Sequence, residues 1–146
     1  MICHFAIGDT IHATQIDWLA AKLKYPPWRH DNTASIGVYQ DAALVAVVAY
    51  HNWNPTTGVI SLSGASTSPR WLTRQVAHLS HVYPFEDVKC QMVEMKVNAE
   101  NHRVLKQLRR FGYQTHLIPR LYGSDADGYI CTLTKEAWLE NPIALV

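Results

Sequence analysis

The stretch from Val97 to Tyr113, VNAENHRVLKQLRRFGY, constrains the fold more than any other part of the chain. Asn98 is a suitable N-cap, because its side-chain oxygen can accept a hydrogen bond from an amide of the first helical turn. Gly112 can take the left-handed conformation that ends a helix. The apolar residues of the helix fall on one stripe, which must pack against a core: Val104, Leu105, Leu108 and Phe111. Apolar runs before and after this segment predict strands, so the local unit is strand, capped helix, glycine stop, strand.

The rest of the chain predicts the order β-α-β-β-β-α-β-α-β-β. The predicted strands are Ile2–Ile7, Ala34–Tyr39, Leu44–Tyr50, Val59–Ala65, Val88–Val97, Tyr113–Pro119 and Tyr129–Leu133. A first helix is expected from Asp9 or Thr10 to about Lys24, and a last short turn over Lys135–Glu140. The helix between the fourth and fifth strands should begin at Ser68 as N-cap, with Pro69 in its first position, and end at Pro84.

This order resembles that of the GNAT superfamily, the GCN5-related N-acetyltransferases. Their motif B is a strand, Asn-x-x-Asn, a basic amphipathic helix and Gly-Phe or Gly-Tyr, which here reads Asn98, Asn101, Arg103 and Gly112-Tyr113. At 146 residues, one domain spanning residues 1–146 is the simplest organisation. The resemblance implies an α/β fold whose mixed, mostly antiparallel central sheet has about seven strands, is splayed at its centre and is flanked by helices.

The fourth strand and the helix after it contain arginines but no acids. Between Ala42 and Phe85 there is no Asp or Glu, whereas Arg70 and Arg74 fall in the first two turns of the predicted helix. Cations are unfavourable at that end of a helix, so free amides and two arginines together predict an anion site. Solvated arginines, or arginines paired with distant carboxylates, are the alternative. The resemblance implies that this anion is the pyrophosphate of acetyl-CoA.

The loop at this point departs from the family, which usually has Arg/Gln-x-x-Gly-x-Gly/Ala. Here the loop reads SPRWLT over 68–73 and contains no glycine, and Pro69–Arg74 resembles a variant found in GNAT-like proteins of phages and prophages. In that variant backbone amides and the Arg70 side chain would replace the glycine cradle. The implied acetyl-CoA site consists of Leu62, Ser63, Gly64, Ala65, Arg70, Trp71, Leu72, Thr73, Arg74, Asn98, Asn101 and Arg103.

Two catalytic groups that are common in the family are missing from this sequence. Many family members have a Tyr acid on the motif B helix, but counting from Asn98 that position is Leu108. The acid-free stretch also removes the common Glu base. The remaining candidates are His51, Ser63 and Glu94, with a water chain ending at Ser61 or Ser63 as one route for the proton. Direct attack by an amine on a thioester can also rely mainly on proximity.

We therefore expect acetyl transfer from acetyl-CoA to a primary amine, with the acceptor entering between Tyr25–His30 and the loop Arg120–Gly128. The alternative is a GNAT-fold binding or assembly module that has lost catalysis, of a kind that a phage could encode. A nucleic-acid-binding surface over Arg103–Arg110 is a further alternative, but the formal net charge of +1 argues against it.

The histidines, the cysteines and the apolar runs indicate whether a metal site, disulfides or a membrane span should be expected. His78 and His81 are one helical turn apart with no cysteine or carboxylate nearby, so no metal site is expected. The three cysteines lie apart in apolar runs, and no apolar run reaches about 18 residues, so neither a disulfide framework nor a membrane span is expected. We expect a cytoplasmic protein, and leave a homodimer open.

Overall fold

The computed structural model describes residues 1–24 and 32–141, and its elements follow the predicted order. The strands are β1 Ile2–Ala6, β2 Ala34–Gln40, β3 Ala43–Asn54, β4 Val59–Ser66, β5 Met92–Asn98, β6 Gln114–Gly123 and β7 Ala126–Thr134. The helices are α1 Thr10–Leu23, α2 Arg74–Val82, α3 His102–Arg110 and α4 Lys135–Glu140. None of these helices is long and apolar enough to cross a bilayer. The segment Tyr25–His30, expected beside the acceptor, lies outside the described residues.

The strands form one sheet in the order β1-β2-β3-β4-β5-β7-β6. Every neighbouring pair is antiparallel except β4 and β5, which are parallel. Pairing between β4 and β5 runs only from Val59 opposite Met92 to Leu62 opposite Met95, although both strands continue beyond it. The sheet is therefore splayed at its centre. This architecture confirms the expected fold class, a mixed and mostly antiparallel central sheet of seven strands flanked by helices.

Each face of the sheet is covered by helices. The larger core lies on the face that contacts α2, α3 and α4, and includes Leu62, Phe85, Val93, Leu105 and Trp138. The smaller core lies under α1, where Ile16 and Leu19 pack on Val47 and Ala49 of β3. Alternation along β4 therefore directs Leu62 to the first face and Ser61 and Ser63 to the α1 face.

The start and end of α2 differ from the prediction. Its N-cap is Thr73, whose hydroxyl accepts a hydrogen bond from the Val76 amide at 3.2 Å, so Ser68 and Pro69 precede the helix. The chain also does not stop at Pro84, because a π-helical turn continues over Tyr83–Asp87. Proline lacks the N–H that would bond the carbonyl of residue 80. The Tyr50 hydroxyl donates to that carbonyl instead, at 2.6 Å.

The start of α3 also differs from the prediction. Asn98 is the last residue of β5, opposite Gly128 of β7, and its side chain accepts a hydrogen bond from the Glu100 amide. The N-cap is Asn101, whose side chain accepts from the Val104 amide. Pairing with β7 keeps Asn98 in the sheet, so the second asparagine of the motif takes the cap.

Several strand ends also differ from the prediction. β6 continues to Gly123 and β7 begins at Ala126, so the expected polar loop Arg120–Gly128 is mostly a tight hairpin. Asp127 stabilises it, because its carboxylate accepts a hydrogen bond from the Arg120 amide at 3.1 Å. β3 likewise extends to Asn54, past the predicted end at Tyr50, whereas β5 begins at Met92 and not at Val88.

Candidate active site

A cavity of about 490 Å³ lies where β4 and β5 separate. Its walls come from β4, from the segment before α2, from β5 and from α3. They comprise Leu23, Val48, Leu62, Ser63, Gly64, Ala65, Ser66, Thr67, Ser68, Pro69, Trp71, Leu72, Ser80, His81, Met95, Lys96, Asn101, Arg103, Val104, Gln107, Leu108 and Phe111. The described lining is mainly apolar, and its charged members are the cations Lys96 and Arg103, both exposed.

The structure brings most of the predicted cofactor residues together on this cavity. Eight of them line it: Leu62, Ser63, Gly64, Ala65, Trp71, Leu72, Asn101 and Arg103. Four do not line it: Arg70, Thr73, Arg74 and Asn98. Asn98 is held in the sheet, and the other three lie in or beside the first turn of α2. The roles of all twelve in cofactor binding stay predictions.

The predicted anion site is displaced along the chain. Arg70 precedes α2 by four residues and is exposed, while Arg74 is the first residue of the helix. Thr73 caps this helix through its side chain and accepts the Ala77 amide through its carbonyl. The amides of Arg74 and Gln75 precede the first intrahelical bond, as the first amides of any helix do. The start of α2 therefore has free amide donors and Arg74, whereas Arg70 lies four residues before it, and the anion site stays a prediction.

The three candidate bases lie on the α1 face of the sheet. His51 of β3 is hydrogen-bonded through Nε2 to Ser63 Oγ of β4, at 2.8 Å. Glu94 of β5 accepts a hydrogen bond from Ser61 Oγ. Burial lowers the pKa of His51, the negative charge of Glu94 raises it, and Lys96 lowers it. Of the three candidates only Ser63 lines the cavity, so His51 reaches the cavity through Ser63.

The opposite wall contains no phenol at the position where many family members have one. Leu108 lines the cavity and is 4% exposed, on the buried stripe predicted for this helix. His81 also lines the cavity, a placement that the sequence reasoning missed because it weighed this residue only as a metal ligand. Its position four residues after Ala77, on the buried side of α2, was the available signal.

Both ring nitrogens of His81 make hydrogen bonds within the protein. Nδ1 lies 2.6 Å from the Ala77 carbonyl oxygen, and Nε2 lies 2.6 Å from the Tyr113 hydroxyl. Burial lowers the pKa of His81 to about 4, so the ring is neutral at pH 7. Within residues 1–24 and 32–141, no group of three or more His, Cys, Asp or Glu residues is arranged to hold a metal ion.

No protein-family model and no curated protein sequence matches this chain. Solved structures do match it. A chimera of the spermidine N-acetyltransferase SpeG from Vibrio cholerae with hSSAT superposes with a TM-score of 0.75 at 10% identity, over 94% of this chain and 99% of that chain. A point mutant of the same V. cholerae enzyme gives 0.73 at 12% identity, over 94% and 96%. Mycobacterium smegmatis RimJ in complex with CoA-disulfide gives 0.65 at 17% identity, over 87% and 62%.

These identities are low, so the likeness shows the fold. The chain has the fold of GNAT acetyltransferases, with its cavity at the splay between β4 and β5.

Proposed function

We propose that this protein is an N-acetyltransferase that transfers an acetyl group from acetyl-CoA to a primary amine. The observation that carries the proposal is the cavity at the splay of the sheet, whose walls combine the unpaired edge of β4 with the start of α3. The acetyltransferase fold of the structural neighbours supports it, as does the CoA-disulfide bound by one of them, RimJ.

The unpaired edge of β4 suits the pantetheine arm of CoA. Beyond Leu62 the strand is no longer paired with β5, so its backbone groups on that side can hydrogen-bond an amide-containing chain laid beside them. Gly64 lines the cavity and has no side chain to fill the space over this part of the strand. Trp71 and Leu72 form an apolar wall nearby. The donors, the acceptors and the apolar lining all fit this arm.

The phosphates of CoA carry several negative charges, and we assign them to the arginines before and within α2 and at the start of α3. In the proposed complex the pyrophosphate lies at the N-terminus of α2, held by the first-turn amides and by Arg70 and Arg74. Arg103, at the start of α3 and on the cavity wall, would contact the 3′-phosphate, with Asn101 beside it. The segment Pro69–Arg74 would thus replace the glycine-rich loop of other family members, as in the phage-type variant.

The reaction needs orientation more than a covalent intermediate. An amine held close to the thioester attacks it directly, and well-oriented reactants gain most of their rate from proximity. The amine must still lose protons, which requires an acceptor near the thioester. Ser63 is the polar residue of β4 that both lines the cavity and bonds a titratable side chain. The acceptor is proposed only as a primary amine; spermidine, named for SpeG, is the natural first compound to try.

The test is titration calorimetry with acetyl-CoA, followed by a thiol-release assay over a panel of primary amines. We expect micromolar binding by the wild type and turnover with at least one amine. Arg70→Ala and Arg74→Ala should each weaken binding about tenfold, equivalent to about 1.4 kcal/mol. Arg110→Ala is the matched control, because Arg110 is exposed at the far end of α3 and does not line the cavity. No binding at millimolar acetyl-CoA would contradict the proposal.

A further inference from the structure

A second cavity, of about 940 Å³, lies near the other end of the β3–β4 hairpin. Its walls include Tyr50, His51, Trp53 and Tyr83. It opens to the surface beside Asn52 and Trp53, which are both exposed. The second cavity is therefore accessible to water, whereas the first lies in the splay of the sheet.

One hydrogen bond joins the two cavities. Ser63 lines the first cavity, His51 lines the second, and His51 Nε2 lies 2.8 Å from Ser63 Oγ. In the strand register His51 is opposite Ser61, not Ser63. Ser61 donates a hydrogen bond to the Glu94 carboxylate of the neighbouring strand β5. The histidine ring instead extends along β4 to Ser63, which brings it to the wall of the first cavity.

We propose that Ser63 and His51 form a proton relay that carries the amine proton out of the thioester cavity and releases it to water in the second cavity. This inference rests on the acetyltransferase function proposed above. The ammonium form of the acceptor gives one proton to Ser63 Oγ as the Ser63 hydroxyl proton passes to His51 Nε2. The imidazolium, protonated on both nitrogens, then releases its Nδ1 proton to water in the second cavity, and exchange with water returns the neutral ring to its starting tautomer before the next turnover. As the C–N bond forms and the C–S bond breaks, the second proton passes from the nitrogen to the departing thiolate, which yields the amide and free CoA.

The surroundings of His51 agree with this role. The charged groups that act on it are Glu94 and Lys96 of β5, and burial is the largest influence, lowering the pKa of the ring. A neutral imidazole at pH 7 can accept a proton, and a ring with a lowered pKa releases it again readily. Glu94 does not line the first cavity and is already bonded by Ser61, so it is not placed to take the proton from the amine directly.

The relay is tested with His51→Gln, because glutamine can keep a hydrogen bond to Ser63 but cannot take up a proton at neutral pH. We expect kcat to fall about 100-fold at pH 7 while the KM for acetyl-CoA stays within about twofold. The deficit should shrink toward about pH 10, where more of an alkylamine acceptor arrives already deprotonated. His116→Gln is the matched control, since His116 is exposed on β6 and lines neither cavity.

Ser63→Ala gives a second, independent variant should His51→Gln fold poorly. It should show the same loss of kcat, and the double variant should be no slower than either single variant, because residues acting as one unit are not additive. An unchanged kcat and pH profile in His51→Gln or Ser63→Ala, in a wild type that turns over, would overturn the relay alone. A wild type that turns over no amine would overturn the acetyltransferase function and the relay with it.

Discussion

The Tyr113 hydroxyl donates a hydrogen bond to Nε2 of His81 over a distance of 2.6 Å. The direction of this bond follows from the other side of the ring, where Nδ1 faces the Ala77 carbonyl at 2.6 Å. A carbonyl can only accept, so Nδ1 carries the proton and Nε2 is the acceptor. This bond joins α2 to the residue just before β6, and its present direction requires a neutral imidazole.

The first prediction is that stability falls between pH 6.5 and about 4 because of His81. Burial lowers its folded-state pKa from 6.5 to about 4, so the unfolded chain binds the proton first as the pH falls. The stabilisation is complete above the unfolded pKa and is lost progressively down to the folded pKa, by about 3 kcal/mol. Urea unfolding across this range should show a flatter profile for His81→Gln. The control is His116→Gln, which should show the same dependence of unfolding free energy on pH as the wild type. The account would be contradicted if His81→Gln also kept that dependence, or if His116→Gln lost it.

The second prediction concerns Gly64 on the unpaired edge of β4. A Cβ built there would lie 3.3 Å from the Val47 carbonyl oxygen and 3.6 Å from a methyl carbon of Val48, so it requires the backbone of β3 to shift by a few tenths of an ångström. We expect Gly64→Val to fold with reduced stability, and its side chain would project from the strand into the cavity where the pantetheine is proposed to lie. We expect acetyl-CoA affinity to fall at least tenfold by calorimetry. Ala43→Val, at the exposed start of β3, should bind as the wild type does.

The third prediction uses two threonine caps of the same kind. Thr73 accepts from the Val76 amide at 3.2 Å, and Thr134 accepts from the Ala137 amide at 3.1 Å. Either substitution to Ala should cost about 1 kcal/mol of unfolding free energy. Only Thr73→Ala should also weaken acetyl-CoA binding, because the start of α2 is proposed to hold the pyrophosphate, whereas the start of α4 is assigned no part of the cofactor. If Thr73→Ala and Thr134→Ala bound acetyl-CoA equally well, the N-terminus of α2 would not take part in cofactor binding.

The fourth prediction concerns Trp138, which is 1% exposed and stacks on Phe85 with ring centroids 5.1 Å apart. Its indole N–H is buried and has no hydrogen-bond partner among the described residues. Trp138→Ala should cost about 3–5 kcal/mol of unfolding free energy through the cavity it leaves. Trp138→Phe should cost only about 1 kcal/mol, because it keeps an aromatic ring and removes an unpaired buried donor. Both free energies of unfolding can be measured with urea. If Trp138→Phe lost as much as Trp138→Ala, the indole N–H would have to make a stabilising hydrogen bond.

The order of elements could be predicted from the sequence because it depends on local signals. Periodic apolar residues, Asp9 before the first helix and Gly112 after α3 each act over a few neighbouring residues. The ends of elements could not be predicted equally well, because contacts distant in sequence decide them. Pro84 is tolerated in a continuing helical turn because Tyr50, 34 positions earlier, supplies the missing donor, and pairing with β7 keeps Asn98 in its strand.

The site was predictable where a motif carried it and not where side chains meet across strands. The β4 segment 62–65 and the motif B residues Asn101 and Arg103 were assigned to the cofactor by resemblance, and the structure places them on one cavity. The link between His51 and Ser63 depends on how a ring leans between neighbouring strands, which no spacing in the sequence indicates. His81 was not predicted to line the cavity, because its spacing from His78 led to its being weighed only as a metal ligand, although it also follows Ala77 by four residues on the buried side of α2.

The splay between β4 and β5 also divides the chain into two antiparallel halves, β1–β4 and β5–β7. Within the sheet, only the four register positions from Val59–Met92 to Leu62–Met95 join these halves. A molecule bound in the gap would contact both halves of the sheet and so add contacts that hold the two halves together. Occupancy should then raise the melting temperature and slow amide exchange on both sides of the gap together, which would make ligand binding and the integrity of the whole domain one coupled equilibrium.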